Sequence, residues 1–242
     1  MSEWLFDLGN TRLKCAPLQG DGTIGAVIGI EHDGAAFGPG WDAPLPGQID
    51  AAYISSVAAP ALTVALLDAL THRCQRISIA RTQPAFAGVR IAYARPHRLG
   101  VDRFLALLAA HARAPRAWLV VGIGTALTID LLAADGCHRG GRIAPSPTLM
   151  REALHARAPH LPPSGGSYGE FAADTTDALA SGCEGAALGL IDRSIATATA
   201  MLAETPRLLL HGGGARALLP QLQDAEQASA LVLEGLARWA RA

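Results

Sequence analysis

The sequence predicts an α/β fold made of two similar halves, and three observations support this. Apolar segments with the period of strands alternate with segments that have the period of helices along the 242 residues. An apolar strand, a glycine turn and an alternating strand occur at residues 4–15 and again at residues 118–130. Pro115 ends a helix between them, so we place a domain boundary there. These features indicate an internal duplication into residues 1–115 and 116–242.

Composition and charge restrict the class of protein. Hydrophobic residues make up 50% of the chain, charged residues 17%, and the formal net charge is −1. A balance of this kind excludes the basic field of a nucleic-acid-binding protein and a polybasic membrane surface. The four cysteines form no C-x-x-C pair, which is typical of a reduced compartment. We therefore expect a soluble, cytoplasmic protein that binds neither nucleic acid nor a membrane.

The first candidate site is the predicted hairpin at residues 4–15. Its first strand is apolar, and in its second strand Leu13 and Cys15 alternate with charged residues. The connecting dipeptide Gly9-Asn10 tolerates positive φ. Asp7 therefore stands at the end of a buried strand, where a carboxylate is costly unless a cation offsets its charge.

Two interpretations of this hairpin are open. The backbone N–H groups of the turn, together with Asn10, Thr11 and Lys14, suit a phosphate group, and Asp7 suits the magnesium ion that accompanies it. Alternatively, the segment is a hairpin tip with a solvated aspartate.

The rest of the chain predicts further strands and helices in alternation. In the first half we expect strands near residues 26–30, 51–57 and 75–80, and helices from Pro60 and from Val101 to Arg113. In the second half we expect strands at residues 118–121, 138–143 and 207–211. The expected helices begin at Pro147, at Thr175 (as the cap of a long helix to Leu202), at Ala215 and near Leu231. Residues 164–169 are expected to be a flexible loop, and the three glycines at 212–214 to bring a ligand against the backbone.

The second candidate site is the start of the helix at Val101. Asp102 lies in its first turn, with Arg103 beside it. A first-turn carboxylate favours the helix dipole, so a purely structural role is one interpretation. A role in binding or catalysis is the other.

Several motifs, in this order and spacing, resemble those of type III pantothenate kinases. That family, with the related Bvg accessory factors, belongs to the actin-like ATPase superfamily, which includes sugar kinases. The motifs are D-L-G-N-T at 7–11, L-G-V-D-R at 99–103 with Tyr93 upstream, G-T-A-L-T-I-D at 124–130, G-G-R-I-A-P at 140–145, D-T-T-D-A-L-A-S-G at 174–182 and H-G-G at 211–213. The resemblance implies two ribonuclease H-like subdomains, at 1–115 and 116–242, with mixed sheets flanked by helices.

The resemblance also assigns an activity and residues. It implies ATP-dependent phosphorylation of pantothenate, the first step toward coenzyme A, by a homodimer. ATP with Mg²⁺ would be bound by Asp7, Leu8, Gly9, Asn10, Thr11, Arg12, Leu13, Lys14 and Thr125, with Asp7 near the metal. Pantothenate would be bound by Tyr93, Gly100, Val101, Asp102, Arg103 and Thr175, with Asp102 as the catalytic base.

One departure from the family pattern concerns a monovalent cation, K⁺ or NH₄⁺. The family has an aspartate that helps to bind this ion two residues before the glycine of G-T-A, where this chain has Gly122. The cation requirement is therefore in doubt. A kinase for another small hydroxyl substrate and a non-catalytic regulatory protein of the same fold are the alternatives.

Overall fold

The computed structural model describes residues 2–242, which form strands and helices in alternation. The strands are β1 Glu3–Leu8, β2 Arg12–Leu18, β3 Ile28–Glu31, β4 Ile49–Ser56, β5 Cys74–Ile79, β6 Ala85–Phe86, β7 Val89–Arg90, β8 Trp118–Ile123, β9 Ala126–Leu132, β10 His138–Pro145, β11 Arg207–His211 and β12 Ala225–Gln227. The α-helices are α1 Pro60–Thr71, α2 Val101–Arg113, α3 Pro147–Arg157, α4 Thr175–Leu202, α5 Ala215–Leu218 and α6 Leu231–Arg241. Short 3₁₀ helices lie at Pro96–Arg98 and Leu219–Gln221.

The chain divides into two compact units. The first contains the described residues up to Ala114 together with residues 230–242, and the second contains residues 115–229. The helix α6 thus belongs to the first unit, whereas the boundary predicted at Pro115 puts it in the second half. Its Gly235 lies against the backbone of Leu105 in α2, where a Cβ would be 1.9 Å from the carbonyl oxygen. The amphipathic pattern of a terminal helix shows that one face is buried, but does not show which sheet it covers.

The two units contain sheets of the same topology. The first sheet has the order β3-β2-β1-β4-β5 and the second β10-β9-β8-β11-β12. In both sheets the first three strands along the chain are antiparallel neighbours, and the last two add in parallel. This equivalence is what an internal duplication predicts.

The core of the first unit places Asp7 on a particular face of its sheet. Phe6, Leu8 and Leu13 are completely buried in a cluster that also includes Leu62 and Leu66 of α1. Because side chains alternate along a strand, Asp7 lies on the opposite face from Phe6 and Leu8. The helix α6 contacts β1, and α2 contacts β4.

The second unit has its own core, in which β8 and β9 pack against α4. Ile123, Leu127 and Ile191 are among its buried members. No helix within residues 2–242 combines the length and the apolar character that crossing a membrane would need.

The predicted first hairpin is present as the antiparallel pair β1–β2. Neither Gly9 nor Asn10 has positive φ, so its turn does not use the mirror-image geometry that this dipeptide permits. Residues 164–169 form a loop, as expected, and two of its amides bond to side chains near the start of α4. The amide of Ser167 donates to Asp177 (2.8 Å) and that of Gly169 to the Ser181 hydroxyl (3.0 Å).

Candidate active site

Asp7 is positioned by the register of three strands. It lies directly opposite Lys14 in the antiparallel pair β1–β2 and opposite Ser55 in the parallel pair β1–β4. Residues directly opposite one another in a sheet project from the same face. The carboxylate of Asp7 is thus flanked by an ammonium group on one side and a hydroxyl on the other.

The environment of Asp7 opposes its negative charge. Burial and the nearby carboxylate of Asp102 raise its pKa from 3.8 to about 7, in spite of Lys14 and Ser55, which lower it. Ser55 is completely buried, and its hydroxyl lies close enough to the Asp7 carboxylate to lower the pKa of that group. Two carboxylates that repel each other beside a buried hydroxyl are oxygen donors of the type that Mg²⁺ prefers. The residues present therefore fit a divalent cation.

The hairpin turn beside Asp7 exposes polar groups and buries apolar ones. Asn10, Thr11 and Arg12 are exposed at its tip. Leu8 and Leu13 are completely buried, so these two site residues can offer a ligand only their backbone. The turn is closed by a hydrogen bond from the Gly9 amide to the Arg12 carbonyl (3.1 Å). The Arg12 guanidinium is 3.5 Å from Glu31, an exposed pair that contributes little stability.

Asp102 lies in the first turn of α2, and its carboxylate stands beside Gly100. Gly100 is the N-cap residue, and Val101 begins the helix. A Cβ on Gly100 would lie 2.5 Å from Oδ1 of Asp102, well inside contact distance. Gly100 therefore leaves room for the Asp102 carboxylate, which a larger residue would displace.

Arg103 and Tyr93 are brought together by the segment before α2. Arg103 has only 6% of its surface exposed, and its Nη1 lies 3.4 Å from the Tyr93 hydroxyl, to which it donates. The hairpin β6–β7 packs on α2 through Phe86, whose ring meets that of Phe104 edge-on with centroids 6.4 Å apart. A buried guanidinium beside a phenol is suited to a carboxylate ligand.

In the second unit, Thr125 and Thr175 are both exposed. Thr125 lies in the turn between β8 and β9, next to Gly124, which has open space above its Cα. Thr175 is the first residue of α4 and not its cap. The cap is Asp174, whose Oδ1 accepts from the amides of Thr176 (2.8 Å) and Asp177 (3.1 Å). The expected capping role of Thr175 is therefore wrong, because the side chain of Asp174 fills it.

The three glycines after β11 have different functions. Gly212 has φ of +90°, and a Cβ there would lie 2.3 Å from the carbonyl oxygen of Ile123. Gly214 faces the Ile123 side chain, with 2.5 Å to Cγ2. Only Gly213 has open space above it. Two of the three are thus required by packing, and one leaves the backbone accessible to a ligand.

Gly122 lies between two polar neighbours on the adjoining strands. It pairs with Thr128 in β9 and with His211 in β11. A Cβ on Gly122 would be 2.7 Å from Thr128 Oγ1 and 2.8 Å from His211 Nε2. The space that an acidic side chain at position 122 would occupy is therefore filled by the Thr128 hydroxyl and the His211 imidazole.

Two polar residues beside the first hairpin, Ser55 and His32, are not among the predicted site residues. The position of Ser55 beside Asp7 could have been predicted. Ser55 lies near the end of a predicted strand, and a strand that runs parallel to β1 brings its last residues next to Asp7. His32, whose ring reaches the Gly9 carbonyl (3.0 Å), carried no sequence signal, because it lies in a segment rich in glycine and proline.

Comparison with known proteins gives consistent results along the chain. The model of the family "Type III pantothenate kinase" matches residues 4–197. The type III pantothenate kinase of Stenotrophomonas maltophilia strain K279a is 59% identical over 240 residues, which is 99% of this chain and 98% of that protein. That of Xanthomonas euvesicatoria pv. vesicatoria strain 85-10 is 59% identical over 243 residues, covering 100% of this chain and 98% of its own length.

Solved structures show the same fold at much lower identity. A protein of Campylobacter jejuni described as a Baf family transcriptional activator superposes with a TM-score of 0.66 at 19% identity, covering 98% of this chain and 97% of its own. A protein of Sinorhizobium meliloti described as a 2-dehydro-3-deoxygalactonokinase gives 0.59 at 18% identity, with 99% and 98% covered. These likenesses confirm the predicted fold class, two mixed sheets flanked by helices in the manner of the sugar kinases. From the match along its length and from its identity to these relatives, the chain belongs to the type III pantothenate kinase family.

Proposed function

We propose that this protein transfers the γ-phosphoryl group of ATP to the primary hydroxyl of pantothenate, giving 4′-phosphopantothenate for coenzyme A synthesis. The observation that carries the proposal is the group of Asp7, Lys14 and Asp102 in a chain of this family. Asp7 interacts electrostatically with both other residues. Phosphoryl transfer depends on positioning and charge neutralisation more than on covalent catalysis, and this group supplies both.

At the nucleotide side, the turn after β1 binds the phosphates. Its backbone amides and the exposed Asn10 and Thr11 donate to phosphate oxygens, and Lys14 offsets their charge. Asp7 would hold Mg²⁺, which would supply charge neutralisation on the phosphates. Leu8, Gly9, Arg12 and Leu13 complete the turn, and Thr125 is a second nucleotide contact at the corresponding turn of the second unit.

At the acceptor side, Asp102 accepts the proton of the pantothenate hydroxyl. The hydroxyl oxygen then bonds to the γ-phosphorus as the bond from phosphorus to ADP breaks. Arg103 pairs with the pantothenate carboxylate, and Tyr93 orients the guanidinium. Gly100 and Val101 line this position with their backbone, and Thr175 contributes a hydroxyl.

The finer features follow from the same residues. We propose that Gly122 removes the need for K⁺ or NH₄⁺, because His211 and Thr128 fill the space of an acidic side chain. We also propose a homodimer in the cytoplasm. The large exposed side chains Ile143 and Leu154 of the second unit support a subunit interface, and sedimentation equilibrium would measure it.

The test is Asp102→Asn, with Asp68→Asn on the exposed face of α1 as its matched control. Loss of the base should lower kcat by about 10²–10⁴-fold, and the control should retain the kcat of the wild type. Phosphopantothenate is measured directly, in parallel reactions containing potassium, ammonium or sodium alone. We expect equal rates in all three salts. Unchanged turnover in Asp102→Asn would contradict the assignment of the base.

A further inference from the structure

The side chain of His32 connects the loop after β3 to the turn after β1. Its Nε2 lies 3.0 Å from the carbonyl oxygen of Gly9. On the other side of the ring, Nδ1 accepts a hydrogen bond from the amide of Gly34 (3.1 Å). Because an amide can only donate, Nδ1 carries no proton in this arrangement, and the proton of the neutral ring is on Nε2. His32 therefore donates to Gly9.

The bond to Gly9 controls the direction of the next amide. The carbonyl of Gly9 and the N–H of Asn10 belong to one planar peptide unit, and the chain has no cis peptide bond within residues 2–242. In a trans unit the N–H points away from the carbonyl. Fixing the Gly9 oxygen toward His32 thus fixes the Asn10 N–H in the opposite direction.

The backbone of His32 contacts the same turn a second time. Its amide donates to the carbonyl of Thr11 (3.3 Å). The imidazole and the backbone of one residue therefore hold the carbonyls on both sides of Asn10. These two contacts add to the hydrogen bond from the Gly9 amide to the Arg12 carbonyl, which closes the turn from within.

The loop that carries His32 is itself fixed. Asp33 accepts from the amides of Ala35 (2.8 Å) and Ala36 (2.7 Å), which closes a tight turn behind the ring. Phe37 meets the His32 ring edge-on, with centroids 5.4 Å apart, and stacks on Trp41 at 3.9 Å. Phe37 and Trp41 both pack against the core of the first unit. His32 thus has a rigid support that reaches the core.

We propose that His32 is a positioning residue for the nucleotide phosphates, acting by orienting the Gly9–Asn10 peptide so that its N–H donates to a phosphate oxygen. This rests on the proposed function only in that the turn binds the phosphates of ATP. No chemical step is assigned to the ring. Its effect is on nucleotide affinity, and not on transfer to the acceptor.

Two amide substitutions separate the two hydrogen bonds of the ring. In His32→Gln, the side-chain N–H₂ can reach the position of Nε2 and donate to Gly9. In His32→Asn, the side-chain oxygen can replace Nδ1 as the acceptor from Gly34, but nothing reaches Gly9. We expect His32→Asn to raise the KM for ATP about fivefold, the factor that corresponds to one lost hydrogen bond of about 1 kcal/mol. His32→Gln should restore the KM to within about twofold of the wild type. In both variants kcat and the KM for pantothenate should be unchanged.

The control is His72→Asn, an exposed residue after α1 that has no contact with the turn. Calorimetric titration with Mg²⁺ and the non-hydrolysable analogue AMP-PNP, and separately with adenosine, measures affinity without turnover. His32→Asn should weaken the binding of AMP-PNP and leave that of adenosine unchanged. Thermal unfolding of each variant reports whether the fold is retained.

The outcomes separate the inference from the proposed function. Equal affinity of His32→Asn and wild type for AMP-PNP would overturn the role of His32, whatever the activity. Equal weakening in His32→Asn and His32→Gln would overturn the assignment of the Gly9 bond. If the wild type binds AMP-PNP but forms no phosphopantothenate, the proposed acceptor is wrong, and the His32 prediction is still decided by the titrations.

Discussion

Replacing Asp7 by Asn should stabilise the metal-free protein at neutral pH, although it removes the residue assigned to the metal. The pKa of Asp7 is raised from 3.8 to about 7 in the folded protein. The folded state therefore keeps this proton up to about pH 7, and the unfolded state loses it near pH 3.8. Folding therefore takes up a proton between about pH 3.8 and pH 7. The free energy of unfolding of the wild type falls as the pH rises through this range, and does not fall further above pH 7.

The size of the effect follows from the two pKa values. Ionisation of Asp7 costs the folded state about 1.4 kcal/mol for each unit of pKa shift, which gives at most about 4 kcal/mol above pH 7. Between pH 5 and pH 8 the cost grows by about 2–3 kcal/mol. Asn has the size and polarity of the protonated carboxyl and does not titrate. The stability of Asp7→Asn relative to the wild type should grow by this amount over the same range.

The assay is urea unfolding in the presence of a chelator, at unit steps from pH 5 to pH 8. Asp68→Asn is the matched control, since Asp68 is exposed on α1. In an Asp102→Asn background the effect of Asp7→Asn should be smaller, because the neighbouring charge that raises the pKa of Asp7 is gone. A stability difference between Asp7→Asn and the wild type that stays constant with pH would refute the reasoning.

Two glycine positions give further predictions. Gly100→Ala places a Cβ 2.5 Å from Oδ1 of Asp102 and should displace that carboxylate. Steady-state kinetics should then show kcat lowered about 10- to 100-fold, with the KM for ATP unchanged. A normal kcat would mean that the rate does not depend on a fixed position of Asp102. Gly235→Ala drives a Cβ into the Leu105 carbonyl at 1.9 Å and should cost about 1–3 kcal/mol or more in urea unfolding. Gly189→Ala on α4, with nothing within 4 Å, should instead stabilise by up to about 1 kcal/mol, and equal effects at the two positions would contradict the packing of α6 on α2.

The order of the main strands and helices could be predicted because hydrophobic period and proline position determine it locally. Val101–Arg113 and Arg207–His211 have the bounds that the sequence indicates. The duplication was visible because both halves repeat an apolar strand, a glycine turn and an alternating strand. The short strands β6, β7 and β12 have two or three residues each, too few for a period to be detected.

The parts of the candidate site that the sequence predicts are those whose residues lie within one motif. Asp7 and Lys14 share a hairpin, so their register follows from the turn between them. The effect of Asp102 on Asp7 could not be predicted from local sequence, because 94 residues lie between them along the chain. The contact of His32 with Gly9 depends on how a glycine-rich loop folds back, and local propensity does not determine that. The placement of α6 with the first unit is likewise a matter of tertiary packing.

Following the γ-phosphoryl group of ATP tests most directly whether this protein transfers it to pantothenate. The purified protein is given ATP labelled in the γ-phosphoryl group, Mg²⁺ and pantothenate, and the products of wild type and Asp102→Asn are separated and identified by mass. The account predicts that the wild type moves the label to pantothenate with one ADP formed for each phosphopantothenate, and that Asp102→Asn forms almost none. Label that stays in ATP, or that appears only as inorganic phosphate while the wild type is folded, would contradict it.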